Sequence, residues 1–291
     1  MFATLTQYIR RNLVPDVFKR IYRAVRHPPL PTSPEKELSM SIYLELAAAK
    51  GTINGDIVSL NGVSIRVEPP RVIETIHEVL LSDDYRFFED CPTYVMIDVG
   101  MNVGITALSK ASDPRFMKIY AFEPLKPTYA LALANIELNP LLKSKIDTFN
   151  FGLSDEDKEL VIKFTPDHIM SISSESTFDT CFEQNLSYES IQLKKASAVL
   201  EPIMRRHKAD SPAKIFLKVD CEGAEFKIMN DLQTKGLLEY VDIAIIEWHR
   251  KDPGAILKVL SSNGFFYFLE RKNVEWNVGL IKAVRTSPSR K

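Results

Sequence analysis

From Tyr94 onward, the chain alternates continuous apolar runs with segments of helical character. The runs are YVMIDVG, KIYAFEP, KIDTFNFGLSD, KIFLKVD, VDIAIIEW, GFFYFLE and NVGLIKAVR. Continuous apolar runs indicate strands that are covered on both faces, as in a parallel sheet with crossover helices. The segments between them predict helices at 103–111, 126–138, 201–209, 222–232 and 251–262. We therefore predict an α/β fold with a mostly parallel, seven-stranded sheet over residues 93–291.

Three segments depart from this alternation. The stretch DKELVIKF, at 157–164, predicts an added hairpin strand. Residues 165–193 have weak periodicity and many hydroxyl groups, which favours a substrate lid or a plain surface loop. Only a short stretch separates the last two apolar runs, so we expect them to pair as a C-terminal antiparallel hairpin.

Residues 35–92 predict an N-terminal cap made of a helix at 36–50, a hairpin and a helix at 71–81. The hairpin has the most specific signal, because Asn61 and Gly62 join two alternating runs.

The first 34 residues form a basic amphipathic segment that ends in a proline-rich linker. Up to Arg26 there are six basic residues and one acidic residue, and apolar residues recur at helical spacing. We expect a helix packed on the domain, a membrane-surface helix that gives peripheral membrane contact, or an organelle-targeting transit peptide. The linker is HPPLPTSP, where closely spaced prolines oppose a helix.

Charge and cysteine usage limit the partners and the compartment. The net charge is −1 and the pI is about 6.5. Because the chain has no global basic field, we expect no nucleic-acid partner. Its three cysteines have no metal-binding spacing, so a reducing compartment is expected, and the cytoplasm fits best. No apolar run approaches the roughly 20 residues that a membrane span needs.

The turn DVGMNVG follows the first apolar run and is the strongest local signal for a ligand. Ligands of open parallel sheets bind beyond the carboxyl ends of the strands. Gly100 and Gly104 allow close approach of the backbone, and the amides that open the next helix favour a carboxylate or phosphate. A dinucleotide-binding loop would need glycine where Asn102 and Ile105 stand, and the Lys-Ser/Thr pair of a P-loop is absent.

An acidic residue, Glu123, ends the second run in the sequence AFEP. It is placed to accept hydrogen bonds from both hydroxyls of a ribose. S-adenosylmethionine fits these features, because it has a ribose, no phosphate, and an amino-acid end with a carboxylate and an ammonium. Asp98 can offset the positive charges of the ammonium and sulfonium. Either acidic residue alone is equally well explained as a helix cap or turn residue.

The motifs MIDVGMNVG, AFEP, GLSD and LKVDCEGAEF occur in this order and resemble the FkbM family of S-adenosylmethionine-dependent methyltransferases. The resemblance covers about Tyr94 to Arg285, and KVDCEGAE is its most specific element. It implies the Rossmann-like fold of class I methyltransferases, with S-adenosylmethionine as the donor and usually a hydroxyl oxygen as the acceptor.

The resemblance also implies positions for the cofactor. The methionine part would be held by the turn residues Asp98, Gly100, Asn102 and Gly104. The ribose would be held by Glu123, and the adenine would lie against the loop at 152–155, which contains Leu153 and Ser154. The chain departs from the family at Met101, where a small residue is common.

Two neighbouring strands are predicted to end in LKVDCEGAEF and IIEWH, which brings polar side chains to one pocket mouth. These candidate catalytic residues are Asp220, Glu222, Glu247 and His249. In one interpretation, His249 or Asp220 is a general base for the acceptor hydroxyl. In the other, Asp220, Glu247 and His249 hold a divalent cation that acidifies this hydroxyl. We favour proton abstraction or orientation and assign no metal ligand at this stage.

Simpler structural roles compete with these functional ones. Glu222 and Glu225 fall in the first turn of a predicted helix, where acidic residues favour the helix dipole. Lys218 is expected to pair with a neighbouring carboxylate.

The predicted function is O-methylation of a hydroxyl on a small molecule, glycan or lipid. Methylation of protein or RNA is an alternative, although the NPPY-type sequence used for amide or base nitrogen is absent. A non-catalytic binding scaffold with this fold is a third hypothesis. The joint presence of Asp98 and Glu123 argues against it.

Overall fold

The computed structural model describes residues 42–67, 72–82, 84–87, 93–164, 187–210 and 213–286. The chain divides into two compact units between Asp84 and Tyr85. The predicted basic segment and its linker, at 1–34, lie outside the described residues. In the described part of the chain, no helix is long and apolar enough to cross a membrane.

The first unit contains a small antiparallel sheet between two helical segments. Helix α1 spans 42–48. The strands are β1 (Thr52–Asn54), β2 (Ile57–Leu60) and β3 (Val63–Arg66), and they are followed by α2 (Val72–Ile76), which continues as the π-helical turn His77–Leu81. Asn61 and Gly62 have φ angles of 52° and 80°. These positive values match a type I′ turn, so the predicted hairpin of β2 and β3 is confirmed.

The second unit carries ten strands and six α-helices among the residues described. In chain order the strands are β4 (Tyr94–Val99), β5 (Phe116–Phe122), β6 (Ile146–Phe149), β7 (Gly152–Ser154), β8 (Lys158–Phe164), β9 (Ser187–Lys195), β10 (Lys214–Val219), β11 (Val241–Trp248), β12 (Phe265–Asn273) and β13 (Val278–Arg285). The helices are α3 (Ile105–Ser112), α4 (Lys126–Glu137), α5 (Pro140–Lys143), α6 (Ala196–Asp210), α7 (Glu225–Thr234) and α8 (Gly254–Ser262). A 3₁₀ turn, Leu237–Tyr240, leads into β11.

The central sheet has seven strands in the order β12-β13-β11-β10-β4-β5-β6. The pairs from β11 to β6 are parallel, and β13 is antiparallel to both β11 and β12. The predicted α/β class and the C-terminal antiparallel hairpin are confirmed. This topology is that of class I methyltransferases.

The central strands are buried on both faces, as their apolar runs predict. Every residue of β4 is buried, and so are all residues of β10 after Lys214. From β4 the chain runs outward to β5 and β6, and it then returns to place β10 on the other side of β4. The strand order therefore reverses between β4 and β10, the usual place for a ligand in an open sheet.

A second, three-stranded sheet corrects two expectations. The predicted strand 145–155 is split at Asn150, whose side chain donates hydrogen bonds to the carbonyl oxygens of Glu123 and Pro124. The second half becomes β7, which joins a sheet of order β7-β9-β8. Within the predicted lid, 187–193 belong to β9, which pairs with β8 as an antiparallel partner. The rest of that prediction, 165–186, lies outside the described residues.

Four of the five predicted helices of this unit start at different residues: α3 begins at Ile105 rather than at 103, and α8 at Gly254 rather than at 251. Helix α6 begins at Ala196 rather than near 201 and follows β9 directly. Helix α7 begins at Glu225 rather than at 222. Glu222 and Gly223 have φ angles of 57° and 121°, which are incompatible with a right-handed helix. Glu222 therefore lies in the turn before α7, and only Glu225 lies in its first helical turn.

Candidate active site

The glycine turn after β4 is held between the ends of its two neighbouring strands. Gly100 has a φ of 81°, and a Cβ at this position would overlap the carbonyl oxygen of Asp220. On the other side, the N–H groups of Gly100 and Met101 donate to the carbonyl oxygen of Phe122 at 3.1 and 2.9 Å. Only glycine can bring the turn this close to the end of β10.

The remaining turn residues lead into helix α3. Asn102 has a φ of 54°, and its side-chain Oδ1 accepts a hydrogen bond from the N–H of Val103 at 2.8 Å. Gly104, with a φ of 84°, occupies the position before the first residue of α3. The amide groups at the start of α3 therefore open beyond the carboxyl end of β4, as the sequence predicts.

Glu123 is buried beside this turn. Its Oε2 accepts the N–H of Asn102 and its Oε1 accepts the N–H of Leu125, both at 3.0 Å. Burial raises the pKa of Glu123 to about 7, although the two backbone N–H groups favour the ionised form. Each carboxylate oxygen has a second lone pair, so the side chain can still accept hydroxyl groups.

Lys218 connects the glycine turn with the predicted catalytic residues. Its side chain is 2% exposed, and its Nζ lies 3.1 Å from Asp98 Oδ1 and 3.5 Å from Asp220 Oδ2. The same Nζ donates a hydrogen bond of 2.6 Å to the carbonyl oxygen of Gly100. Burial opposes the positive charge of Lys218, but the two carboxylates outweigh it and raise its pKa. The expected pairing of Lys218 with neighbouring carboxylates is confirmed.

Asp98 fits a positively charged cofactor group. Its side chain is 0% exposed, and Lys218 Nζ, 3.1 Å from Oδ1, is the partner that the described residues provide for its carboxylate. A buried carboxylate with unused acceptor capacity, together with the open amides of the glycine turn, suits an amino-acid end that carries both an ammonium and a carboxylate.

Asp220 follows β10 and stays ionised. The hydroxyl of Tyr85 donates to its Oδ2 at 2.9 Å. Burial opposes ionisation, but Lys218, His249 and this hydroxyl outweigh it and hold the pKa of Asp220 below its usual value. Asp220 is thus anchored through Oδ2, while its Oδ1 lies 3.9 Å from His249 Nε2.

Glu225 holds the ends of β10 and β11 together. The side chain is fully buried, and its Oε2 accepts the N–H of Gly223 while its Oε1 accepts the N–H of His249, both at 2.7 Å. These two bonds satisfy one backbone group from each strand end. The carboxylate of Glu225 therefore has a structural role beyond a favourable interaction with the dipole of α7.

His249 lies at the centre of the catalytic candidates. Its Nε2 is 3.8 Å from Glu222 Oε2 and 3.9 Å from both Asp220 Oδ1 and Glu247 Oε1. Burial opposes its positive charge, but Glu225, Glu222 and Asp220 outweigh this effect and raise the pKa of His249 to about 9. At neutral pH the imidazole is thus mainly protonated, a state in which it donates protons rather than accepts them.

The two glutamates of this cluster have different surroundings. Glu247 Oε2 lies 3.3 Å from Lys272 Nζ, which comes from β12. Glu222 projects from its left-handed turn toward His249. Burial raises the pKa of Glu222, and the charge of Asp220 adds to this shift while that of His249 opposes it. The structure therefore brings all four predicted catalytic residues together.

The loop predicted to contact adenine lies beside Glu123, but its side chains are buried. Gly152 packs against Pro124 and Leu193. Leu153 is part of the hydrophobic core, and Ser154 Oγ donates to Asp155 Oδ1 at 3.0 Å. The contact of Leu153 and Ser154 with adenine stays a prediction.

Two residues of the site had no signal in the sequence. Tyr85 precedes β4 in a segment without periodicity, and Lys272 lies near the end of β12, in the exposed half of that strand. Both reach carboxylates that are distant along the chain. Their contacts depend on how the sheet and the preceding segment fold together, which no local pattern encodes.

Comparison with known proteins gives a family match. The sequence model of the family described as the methyltransferase FkbM domain matches residues 98–267, which is more than half of the chain. No curated protein matches the chain.

Several solved structures are similar to this chain. The methyltransferase FkbM from Methylobacillus flagellatus is 12% identical, with a TM-score of 0.46, over 95% of this chain and 60% of that one. A putative tRNA (m1A22) methyltransferase from Streptococcus pneumoniae, in complex with S-adenosylmethionine, is 14% identical, with a TM-score of 0.40, over 68% of this chain and 70% of that one. M. capricolum TrmK, in complex with S-adenosylhomocysteine, is 12% identical, with a TM-score of 0.37, over 68% of this chain and 66% of that one. The chain thus spans 60% of the length of the M. flagellatus protein.

Proposed function

The chain belongs to the FkbM methyltransferase family, and we propose that it transfers a methyl group from S-adenosylmethionine to a hydroxyl oxygen of a small molecule, glycan or lipid. The observation that carries this proposal is the link made by Lys218. This residue donates to Gly100 O in the cofactor turn and lies 3.5 Å from Asp220 Oδ2 in the catalytic cluster. An acceptor hydroxyl beside Asp220 would therefore lie next to the cofactor turn.

The residues around the turn have complementary roles toward the cofactor. When bound, S-adenosylmethionine supplies a methyl group on a sulfonium, which an oxygen nucleophile can displace in line. Glu123 would accept the ribose hydroxyls, and Asp98 would face the ammonium. Lys218 keeps the charge of Asp98 balanced and holds the Gly100 carbonyl in place. These roles are positional, which is the main demand of a displacement reaction.

The catalytic cluster can orient the acceptor and take its proton. Transfer forms a carbon–oxygen bond as the carbon–sulfur bond breaks, and the hydroxyl proton must leave. Asp220 remains ionised and can accept the hydroxyl hydrogen bond. The raised pKa of Glu222 makes it a stronger proton acceptor than Asp220, whose pKa is lowered. His249, mainly protonated, would then orient the acceptor oxygen rather than act as the base.

The charge of the cluster supports a hydroxylated acceptor over RNA. Asp220, Glu222 and Glu247 converge on His249 within 4 Å. Carboxylates so placed oppose the approach of phosphate groups, whereas they accept hydrogen bonds from neutral hydroxyls.

Asp220→Asn tests this proposal. We expect calorimetry to show nearly unchanged binding of S-adenosylmethionine, whereas methyl transfer falls by about tenfold or more, the scale for a lost hydrogen bond to a charged group. Transfer of labelled methyl would be followed over a panel of hydroxylated small molecules, glycans and lipids, with tRNA and protein included. Asp147→Asn removes an exposed carboxylate that pairs with Lys118 and is the matched control. Methylation of nitrogen in tRNA or protein, or full activity of Asp220→Asn, would overturn the proposal.

A further inference from the structure

The imidazole of His249 is buried, and carboxylate oxygens lie 3.5 to 3.9 Å from its two nitrogens. Its side chain is 7% exposed, and the described residues provide no hydrogen-bond partner for Nδ1. Its Nε2 points to oxygens of Asp220, Glu222 and Glu247 at 3.8 to 3.9 Å. These separations are too long for hydrogen bonds. They leave a gap that is bounded by one nitrogen and several oxygens.

We infer that Asp220, Glu247 and His249 bind a divalent cation such as Mn²⁺. One ligand atom from each of the three residues can be chosen so that all of them lie within 4.8 Å of one another. A cation with bonds of about 2.1 to 2.4 Å separates its ligand atoms by about 3 to 4.8 Å. Carboxylate oxygens with an imidazole nitrogen suit Mn²⁺, which accepts both ligand types.

Each carboxylate is anchored through one oxygen and presents the other to the gap. Asp220 Oδ2 accepts from Tyr85 and lies near Lys218, while Oδ1 faces His249. Glu247 Oε2 lies near Lys272, while Oε1 faces His249. The ligand atoms are thus held in place by contacts outside the gap, just as the ligands of metal sites are oriented by hydrogen bonds from groups that do not touch the metal.

The imidazole is oriented in the same way. His249 Nδ1 lies 3.5 Å from Glu225 Oε1, and Glu225 is fixed by two backbone N–H groups. A carboxylate beside Nδ1 favours the tautomer with its proton on this nitrogen, which leaves the lone pair of Nε2 directed at the gap. The cation would replace the proton that Nε2 otherwise carries.

This inference deepens the proposed function, and only the catalytic role of the cation rests on that function. With the cation bound, Asp220 and His249 would act on the acceptor through the cation and not by direct hydrogen bonds. A cation at the gap would bind the acceptor hydroxyl and lower its pKa. Glu222 Oε2, 3.8 Å from His249 Nε2, lies beside the gap and would receive the released proton. The cation would also offset the mutual repulsion of the carboxylates.

The test uses the full chain after dialysis against a chelator, with Mn²⁺ as the probe. Free Mn²⁺ is measured by electron paramagnetic resonance during titration, and S-adenosylmethionine binding is measured by calorimetry on the same samples. We expect one Mn²⁺ per chain. Glu247→Gln and His249→Gln should each weaken Mn²⁺ binding by more than about 100-fold, because a change in a group that only orients a ligand already costs about 10- to 100-fold in metal affinity. The exposed-site variant Asp147→Asn should bind Mn²⁺ as the wild type does.

The outcomes separate the site from the reaction. Absence of Mn²⁺ binding, or equal binding by both ligand variants and the wild type, would overturn the metal site even if methyl transfer is observed. Stoichiometric Mn²⁺ binding with no methyl transfer would support the site and count against the proposed function. Undiminished transfer in excess chelator would overturn the catalytic role of the cation. Retained S-adenosylmethionine binding by a variant would show that it is folded.

Discussion

Replacement of Lys218 by Met should show how much the buried ion pair contributes to the free energy of unfolding. The apolar stem of Lys218 is retained in Met, so the main change is loss of the charged Nζ. Asp98 is 0% exposed and lies 3.1 Å from this Nζ, which is the partner that balances its charge among the described residues. Breaking a buried pair in this way costs about 3 to 5 kcal/mol in the free energy of unfolding, because the remaining charge is uncompensated.

The double variant Lys218→Met/Asp98→Asn separates charge from packing. It removes both charges, so its loss of stability should be smaller than the sum of the two single losses by about 2 kcal/mol or more. Asp98→Asn alone should cost less than Lys218→Met, because Lys218 would still lie 3.5 Å from Asp220.

The assay is urea unfolding followed by the fluorescence of Trp248. The chain has two tryptophans, and Trp276 is exposed, so a Trp276→Phe background leaves only the buried reporter. Lys118→Met breaks an exposed pair with Asp147 and should cost less than about 1 kcal/mol. A loss for Lys218→Met as small as that of Lys118→Met, or additive losses in the double variant, would refute the buried-pair explanation.

Two further predictions concern the turn and its neighbour. Gly100→Ala should lower the free energy of unfolding by well over the roughly 1 to 2 kcal/mol of an unfavourable left-handed conformation, because its Cβ also overlaps Asp220 O. Gly236 has a φ of 70° and open space where a Cβ would lie, so Gly236→Ala should show only the conformational cost in the same urea assay. Similar losses of unfolding free energy at the two sites would contradict the steric explanation. The pKa of Glu123 is about 7 in the folded protein and 4.5 ordinarily, so the folded state holds this proton more tightly than the unfolded state does. Glu123 should therefore stabilise the cofactor-free protein most below pH 4.5, and this contribution should be lost as the pH rises through 7. The stability of wild type relative to Glu123→Gln should therefore fall by about 3 kcal/mol between pH 4.5 and 8, and a pH-independent difference would be inconsistent with this pKa.

The sheet and the cofactor turn were predictable because their signals are local. The run before Gly100 is fully apolar except for Asp98, so burial on both faces and a break at the glycine follow directly. The Asn61-Gly62 pair likewise specifies its hairpin through backbone conformation alone.

The detail of the catalytic site was less predictable because its contacts are not local. The placement of Asp220, Glu247 and His249 at adjacent strand ends followed from the parallel sheet. However, the anchors Tyr85 and Lys272 are brought in by tertiary packing. The sequence predicts a helix that includes Glu222, because the apolar spacing of α7 extends back to this residue. It gives no sign that Glu222 and Gly223 adopt positive φ before the helix begins.

The two hydrogen bonds of Glu225 also have a consequence for how the site can change over time. This carboxylate fixes the loops after β10 and β11 through backbone groups, and those groups are present whatever side chains occupy the loops. Position 222, in the loop after β10, and position 247, next to the last residue of β11, can therefore be replaced while the two strand ends stay in register. Related enzymes could diverge in acceptor preference by substitution at these positions, and selection on Glu225 would act through preservation of the framework.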